Sequence, residues 1–494
     1  MKLKKLFKDI PFQVFKGSKE VEVTGVCSNS RLVSPGNLFI ARKGRTDDGN
    51  RYILEAVSAG AAAVVTDIYD PTLKGIVQII HPDVSSIEGS IAANYYQFPS
   101  SELFLVGITG TNGKTTTAFQ VKHVLEHLGM PCGLMGTIEH IIGSHRYKAS
   151  RTTPDVATNH KLLREMVLQG LKGGVMEVTS HALDQGRVDF IEYDVAIFTN
   201  LSLDHLDYHQ TMENYCIAKK KLFESFSIDK SKKKFAKTAV VNVDNPWHKQ
   251  IVEGCFANVI TYGITNHADV LATDVHLTPE CTHMRIKYLG QSIPCQIPLV
   301  GRFNVYNCLA AIAVGLSQGH SLEKLVEIMK TFPYVVGRME RVSNALGLKI
   351  YVDFAHSDDA LCNVLECLKE VNKGRIITVF GCGGERDQTK RAKMGAVAEK
   401  MSDFTIVTSD NPRSEDPAAI CKQIQQGFTH AHSHIVEIDR RAAILKAIEM
   451  AQPDDLILIA GKGHETQQIF AHKTVEFDDC KVAAQLCESL VSSK

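Results

Sequence analysis

Residues 103–117 read LFLVGITGTNGKTTT, an apolar run that gives way to a glycine-containing loop and then to threonines. Leu103 to Ile108 has the length and composition of a buried strand, and Thr115 to Leu128 has the apolar spacing of a helix. Between them lie Gly110, Thr111, Asn112, Gly113 and Lys114. Glycines at such a junction let backbone N–H groups approach phosphate oxygens, and the helix N-terminus adds partial positive charge. Lys114 is then placed to reach the outer phosphates of ATP, and Thr115 to offer its hydroxyl to magnesium. The usual loop has a further glycine five residues before Gly113, but Ile108 stands there, so this loop is a shortened form.

Outward from this junction, Gly174 to Val178 and Val195 to Thr199 are further short apolar runs. Strands alternating with helices predict a mostly parallel sheet covered by helices. On the N-terminal side, Leu38 to Ala41 and Ala62 to Thr66 read as strands and Tyr52 to Ser58 as the start of a helix. The stretch from Gln97 through Phe98, Pro99 and Ser100 to Ser101 reads as a linker. Beyond Thr331, Phe332 and Pro333, four runs read as buried strands: Lys349 to Val352, Arg375 to Phe380, Phe404 to Thr408 and Leu456 to Ala460. The expectation is an α/β chain of three domains. Residues 1–100 form a small α/β domain, 101–333 a P-loop ATPase-like parallel sheet, and 334–494 a doubly wound, Rossmann-like domain. A length of 494 residues suits that number.

Composition narrows the function classes. Lys plus Arg and Asp plus Glu both number 55, which gives no argument for nucleic-acid or membrane-surface binding. The 13 cysteines form no CxxC pair, which argues against a disulfide framework or zinc site and for a reducing, cytoplasmic setting. The basic start, Met1 to Phe7, lacks the apolar run of a signal peptide, and no stretch approaches the ~20 apolar residues of a membrane span.

Polar residues of unusual type follow the strands in both larger domains. They are the Gly110 loop, Glu177 and the Asn200 to His209 stretch in one, and Gly381 to Asp387, Ser409 to Arg413 and Gly461 to Glu465 in the other. Open α/β sheets bind ligands at the carboxyl ends of their strands, so two such rims facing each other would make an interdomain site. Glu177 reads either as a magnesium ligand or as a paired structural acid. The run Asp204 to His209 is dense in metal-capable groups, but its spacing is also that of a polar loop with a helix cap at Asp204 or Asp207. Lys219 is one of three consecutive lysines, which ordinarily mark a solvated face. Arg386 and Arg413 could each clamp a carboxylate and Glu465 an ammonium, a set suited to a zwitterionic amino acid, although each taken singly reads as a surface charge.

Five segments together resemble the Mur ligases, which add amino acids to the peptide of the bacterial cell-wall precursor. They are Gly110 to Thr116 (GTNGKTT), Met176 to His181 (MEVTSH), Asn200 to His209 (NLSLDHLDYH), Tyr215 to Lys219 (YCIAK) and Gly301 to Asn307 (GRFNVYN). The resemblance implies an ATP-dependent amide ligase working through an acyl phosphate, with magnesium as cofactor. It implies that Lys219 is carbamylated and joins Thr115, Glu177 and His205 at the metal, with Lys114 acting on the phosphates. It places Gly110, Thr111, Asn112, Gly113, Lys114, Thr115, Thr116, Asn304, Arg338 and Asp353 on the nucleotide. A UDP-muramoyl dipeptide would lie on Ser30, Arg31, Thr152, Thr153, Thr179, Ser180, Gln185 and Arg187. The amino-acid pocket would comprise Arg386, Asp410, Asn411, Pro412, Arg413, Gly461 and Glu465.

Because Arg413 can pair with the second carboxylate of meso-diaminopimelate, that amino acid is expected over lysine. Three departures from the family pattern are visible. Phe354 to Asp358 (FAHSD) stands for Tyr-Ala-His-x-Pro, Val336 to Arg338 (VGR) for Pro-Gly-Arg, and Thr179 for Ser. The expected enzyme is a monomer acting on small substrates, and it closes its domains because ATP and the amino acid would sit on different ones; His181, His205 and His209 are each candidates for the base toward the attacking amine. Competing readings are another ligase of this build, such as a folylpolyglutamate synthetase or the D-alanyl-D-alanine-adding enzyme, and a nucleotide-dependent switch. Ser28 to Arg31 (SNSR) and Asp410 to Arg413 (DNPR) argue against the other ligases.

Overall fold

The computed structural model describes residues 1–44, 47–226 and 236–492. Three main sheets follow one another along the chain. The first has five strands in the order Val14–Lys16, Val77–Ile80, Ala63–Thr66, Asn37–Ile40, Gly25–Cys27, parallel except for its Val14–Lys16 edge. The helix Val84–Tyr95 covers it, and Asp83 caps that helix by accepting from Ser86 N–H at 3.2 Å. Ile87 and Ile91 bury against Leu38 and Ile40 in a core that also takes in Ala157, which belongs to the next unit. Only two of these strands are legible in the sequence. Val14–Lys16 and Gly25–Cys27 have three residues each, too few for a period to show, and Gln78 interrupts the apolar run of Val77–Ile80.

The connector after this unit is not a free linker. Pro99–Glu102 forms a 3₁₀ turn with Pro99 and Ser100 buried, and Ser100 Oγ accepts from Glu192 N–H at 3.2 Å. A buried turn needs its polar groups satisfied, and this one is tied to the second unit.

The second sheet has eleven strands, and Phe104–Thr109 lies at its centre between Gly173–Glu177 and Val195–Phe198. The pairing is parallel, with Val106 beside Val175 and Val195. All six residues of Phe104–Thr109 are buried, as expected for a strand covered on both faces. Ile108 lies in the core with Val121, Val124 and Ile312, so the position that would carry the extra loop glycine is still strand. The helices Lys114–His127 and Arg302–Ser317 pack on this face. The sheet is not parallel throughout, however. Val270–Leu277, Thr282–Tyr288 and Gln291–Ile297 form an antiparallel margin on one side, and Glu139–Ile142 with His145–Lys148 form one on the other. Thr282–Tyr288 alternates buried and exposed residues, the pattern of a half-solvated antiparallel strand.

The third sheet runs Glu340–Arg341, Lys349–Asp353, Leu456–Ala460, Ile376–Phe380, Phe404–Val407, His434–Val436, and is parallel apart from its first strand. The second and third units touch through Tyr351, whose hydroxyl donates to Pro279 O at 2.8 Å, and through Asn112 and Asp359, described below. Among the described residues no helix is long and apolar enough to cross a membrane.

Candidate active site

The phosphate loop is held in shape by the loop that follows the neighbouring strand. Thr111 N–H donates to Asn200 O at 2.8 Å and Asn112 N–H to Asn200 Oδ1 at 2.9 Å. The Thr199 hydroxyl donates to Asn112 O at 2.7 Å. Gly113 takes φ 84°, in the left-handed region, and a Cβ there would sit 2.5 Å from Asn307 Oδ1. Lys114 to Thr116 open the helix, so their N–H groups have no acceptor within it and suit an anion. Lys114 Nζ donates to Gly110 O and Thr111 O, each at 2.9 Å. Burial lowers its pKa.

Beneath the loop, Glu177 is buried at the end of its strand and gathers three donors. The Thr115 hydroxyl reaches Oε2 at 2.9 Å, the Thr137 hydroxyl reaches Oε2 at 3.0 Å, and Thr137 N–H reaches Oε1 at 2.8 Å. Arg338, from the third unit, donates to Thr115 Oγ1 at 3.2 Å. One carboxylate with two hydroxyl oxygens is a hard donor set that fits magnesium, which takes few protein ligands. Among the described residues no group of three or more His, Cys, Asp or Glu could hold a metal by itself.

Lys219 does not lie on a solvated face. Tyr215, Cys216, Ala218, Lys219, Leu222 and Phe223 form the buried side of their helix, and Lys219 Nζ donates to Gly110 O at 2.9 Å. It also sits 4.4 Å from the Tyr215 ring centroid. Burial, reinforced by the charge of Lys114, holds its pKa well below the ordinary lysine value. His205, at φ 55°, is half exposed and pairs with Asp204 Oδ2 at 3.5 Å. Neither Asp204 nor Asp207 caps the short helix Leu206–His209; the Asp204 carboxylate instead accepts from His205 N–H. Thr115 and Glu177 are thus in contact, whereas no hydrogen bond links Lys219 or His205 to Glu177.

The residues expected to hold the precursor divide. Thr152 Oγ1 lies 3.1 Å from Thr137 Oγ1, and the Thr153 hydroxyl donates to Glu177 O at 2.8 Å. Thr179 caps the helix Ser180–Asp184 by accepting from Ala182 N–H at 3.2 Å, so the threonine does what serine would. Arg187 donates to Gln185 Oε1 at 2.6 Å and to Thr153 O at 3.2 Å. Ser180 Oγ sits 2.9 Å from His209 Nε2. His181 meets His205 and His209 edge to face, with ring centroids 4.8 and 5.4 Å apart, and its pKa is lowered first by burial and then by His209. Ser30 and Arg31 form a 3₁₀ turn on the first unit, Ser30 buried and Arg31 exposed, and Arg31 N–H donates to Asn29 Oδ1 at 3.1 Å.

Of the other residues expected at the nucleotide, Asn304 is buried and donates to Val300 O at 2.9 Å. Arg338 lies 4.7 Å from the Phe354 ring centroid. Asp353 does not face outward: its oxygens accept from Met339 N–H at 2.7 Å and Ala355 N–H at 2.8 Å. Burial raises its pKa against the opposing charge of Arg338. Ser357 caps the helix Asp358–Val371, where an acidic first turn replaces the expected proline.

The third unit assembles the other rim. Asn411 Nδ2 donates to Glu465 Oε2 at 2.6 Å. Arg413, at φ 52°, donates from its backbone to Ile469 O and from its guanidinium to Gly384 O at 2.7 Å. A Cβ on Gly383 would lie 3.1 Å from Arg413 Nη1 and 3.7 Å from Arg386 Cγ, so the two arginines flank one glycine. Arg386 is exposed, Asp410 and Pro412 are buried, and Gly461 at φ 110° allows the close approach of Asp410 Oδ2.

Four contributors escape a sequence reading. Thr137 holds Glu177 from a loop forty positions away in the chain. Asp359 Oδ2 accepts from Asn112 Nδ2 at 3.0 Å and Ser202 Oγ at 2.9 Å, joining the third unit to both loops of the phosphate site. Lys462 is fully buried beside Glu465. Arg440 pairs with Asp479 at 2.8 Å and donates to Ser409 O and Ala460 O, fixing the two strand ends that carry the rim. Thr137 and Arg440 have no distinctive neighbours in sequence, and only Lys462 sits inside a suspicious segment.

Known proteins match this chain along most of its length. Residues 22–96 match the model "Mur ligase family, catalytic domain", 108–315 "Mur ligase middle domain" and 337–463 "Mur ligase, glutamate ligase domain". UDP-N-acetylmuramoyl-L-alanyl-D-glutamate–2,6-diaminopimelate ligase of Chlamydia pneumoniae is 43% identical, across 99% of this chain and 100% of that protein. A solved structure of a ligase bearing that same name is 29% identical with TM-score 0.68, covering 99% of each chain. MurF of Thermotoga maritima, solved in complex with ADP, is 17% identical with TM-score 0.66, covering 95% of this chain and 98% of that one, and shares the fold.

Proposed function

The chain belongs to the Mur ligase family, and we propose that it joins meso-2,6-diaminopimelate to UDP-N-acetylmuramoyl-L-alanyl-D-glutamate at the expense of ATP. The observation that carries the choice of amino acid is the rim of the third unit, where Arg413 and Arg386 flank Gly383 while Glu465 is anchored by Asn411. Two cations beside one carboxylate suit an amino acid with a carboxylate to spare, and lysine would leave a guanidinium unpaired. The full-length relative of that name supports the same reading.

The chemistry follows from what the substrates lack. A carboxylate is a poor electrophile, and phosphorylating the D-glutamate γ-carboxylate supplies a leaving group. Lys114 would exchange its two loop carbonyls for phosphate oxygens, and Arg338, already at Thr115, brings a second cation to the transferring group. Burial lowers the Lys219 pKa and so favours the neutral amine, the form that reacts with carbon dioxide, and a carbamate there would add oxygen donors near Gly110. Thr115, Glu177 and a Lys219 carbamate, with His205 nearby, would hold a magnesium ion, and that ion would supply Lewis-acid charge to the phosphoryl group. His181, whose pKa burial lowers and whose ring meets those of His205 and His209, would accept the proton of the attacking amine. The tetrahedral intermediate then expels phosphate. The 13 free thiols support a reducing, cytoplasmic setting.

The test is phosphate release with the UDP-muramoyl dipeptide and diaminopimelate, lysine or no amine. Release should require the dipeptide and favour diaminopimelate. Arg413→Ala should lower kcat/KM for diaminopimelate roughly ten- to a hundredfold while leaving the weak lysine reaction nearly unchanged. Release independent of both substrates would point to a nucleotide switch instead.

A further inference from the structure

Lys462 is the one fully buried lysine besides Lys219 among the described residues, and the mechanism above gives it no part. Its Nζ donates to Gln467 O at 2.6 Å, Asn411 Oδ1 at 3.1 Å and Glu465 Oε2 at 3.2 Å, so its three donors are spent on one small cluster. Asn411 is locked in turn. Its Oδ1 also accepts from Ile469 N–H at 3.0 Å, which forces Nδ2 onto Glu465 Oε2 at 2.6 Å. Both bonds to the Glu465 carboxylate therefore fall on the same oxygen. No bond is made to Oε1 among the described residues, and Glu465 is about one-third exposed.

A buried ammonium is costly to keep, and a fold that needed only a turn here could use an apolar residue. The arrangement instead fixes the carboxylate as a single-oxygen acceptor. We propose that Lys462 is a positioning residue for the amino-acid substrate: with Asn411 it occupies Oε2 of Glu465, so that Oε1 alone is presented to an ammonium group of the incoming diamino acid. The proposal rests on the assignment of Glu465 to the amino-acid pocket. Holding one ammonium at a fixed oxygen sets which amine of a two-amine substrate is retained and which is free to attack the acyl phosphate. Lysine and diaminopimelate share that ammonium, so Lys462 acts on both alike, whereas Arg413 acts on the second carboxylate.

The experiment measures KM for diaminopimelate and for lysine in Lys462→Met, Glu465→Gln and the double variant. Dipeptide-dependent exchange of isotope within ATP, read without any amine, monitors acyl phosphate formation. The expected result for Lys462→Met is a KM raised about ten- to a hundredfold for both amino acids, an unchanged preference between them, and intact exchange. In the Glu465→Gln background the same substitution should add less than threefold. An unchanged KM overturns the proposal, and so do multiplicative losses in the double variant or loss of exchange together with the amine reaction. If Lys462→Met does not fold, Lys462→Arg carries the test. It keeps the charge but cannot match the three acceptors, so KM should rise with exchange intact, and an unchanged KM overturns the proposal. A wild-type protein that exchanges isotope yet uses neither amine would instead refute the amino-acid assignment on which this rests.

Discussion

At the scale of single residues, Lys219 departs furthest from what its neighbours suggest. Lys221 is exposed and Lys220 half-buried, yet Lys219 is buried on the same helix, because its position falls in register with Tyr215, Leu222 and Phe223. Its lowered pKa has a signed consequence. Between that value and the ordinary lysine value of 10.5, the unfolded chain binds the proton and the folded one does not, so stability rises with pH across this window. In carbon-dioxide-depleted buffer, Lys219→Met should therefore stabilise the protein most at the low end of the window, and its advantage should fade toward the top. A melting-temperature difference that stays flat with pH would contradict this. Bicarbonate should raise the activity of the wild type and leave that variant inactive.

Glu177 makes a second residue-scale prediction. Its two oxygens accept three bonds, and a glutamine would set an NH₂ group against at least one donor. Glu177→Gln should lower kcat by about 10²–10³-fold, with excess magnesium failing to restore it. Recovery at high magnesium would show that the carboxylate only tunes metal affinity.

At the scale of elements, the strand–loop–helix junction from Phe104 to His127 shows why local reading succeeds where it does. Its strand is buried on both faces and its turn needs a left-handed residue, so apolar run and glycine both appear in the linear text. Gly113→Ala should cost about 1–2 kcal/mol for the left-handed backbone, and more because its Cβ meets Asn307 Oδ1. Denaturant unfolding would read the first effect and the KM for ATP the second. The strand runs of the third unit were legible for the same reason. The antiparallel margins of the large sheet were not, because half-solvated strands such as Thr282–Tyr288 look polar. The helix cap expected at Asp204 or Asp207 failed because the Asp204 carboxylate turns to the adjacent His205 N–H.

At the scale of the whole molecule, two links join the rims. Asp359 clasps Asn112 and Ser202. Arg338, bonded to Thr115, lies over Phe354, whose ring meets that of His464 at a tilt with centroids 4.8 Å apart, and a Cβ on Gly337 would lie 2.0 Å from His464 N. A nucleotide at Thr115 thus sits one arginine and one ring from the segment that carries Glu465. Asp359→Ala removes two interdomain bonds without touching either core. It should speed hydrogen exchange in the peptide spanning Asn112 and leave the melting temperature within a few degrees of wild type. Small-angle scattering should show compaction when ATP and the dipeptide are both present, because closure excludes water from the acyl phosphate. No compaction would count against an interdomain reaction.

The sequence by itself determined the α/β class, the phosphate loop and the family, since these rest on patterns within a dozen residues that the backbone imposes wherever it forms such elements. It also named most of the residues proposed for the site. Only the tertiary structure decided what those residues do to one another. Glu177 is a three-donor acceptor because Thr137 arrives from a loop and Thr115 from a helix. Asp353 is a turn anchor because two backbone N–H groups close on it. Lys462 is a positioning candidate because Asn411, fifty-one positions away, is fixed beside it. Hydrogen bonding and desolvation depend on distance in space, and the chain's order carries no record of that until it folds.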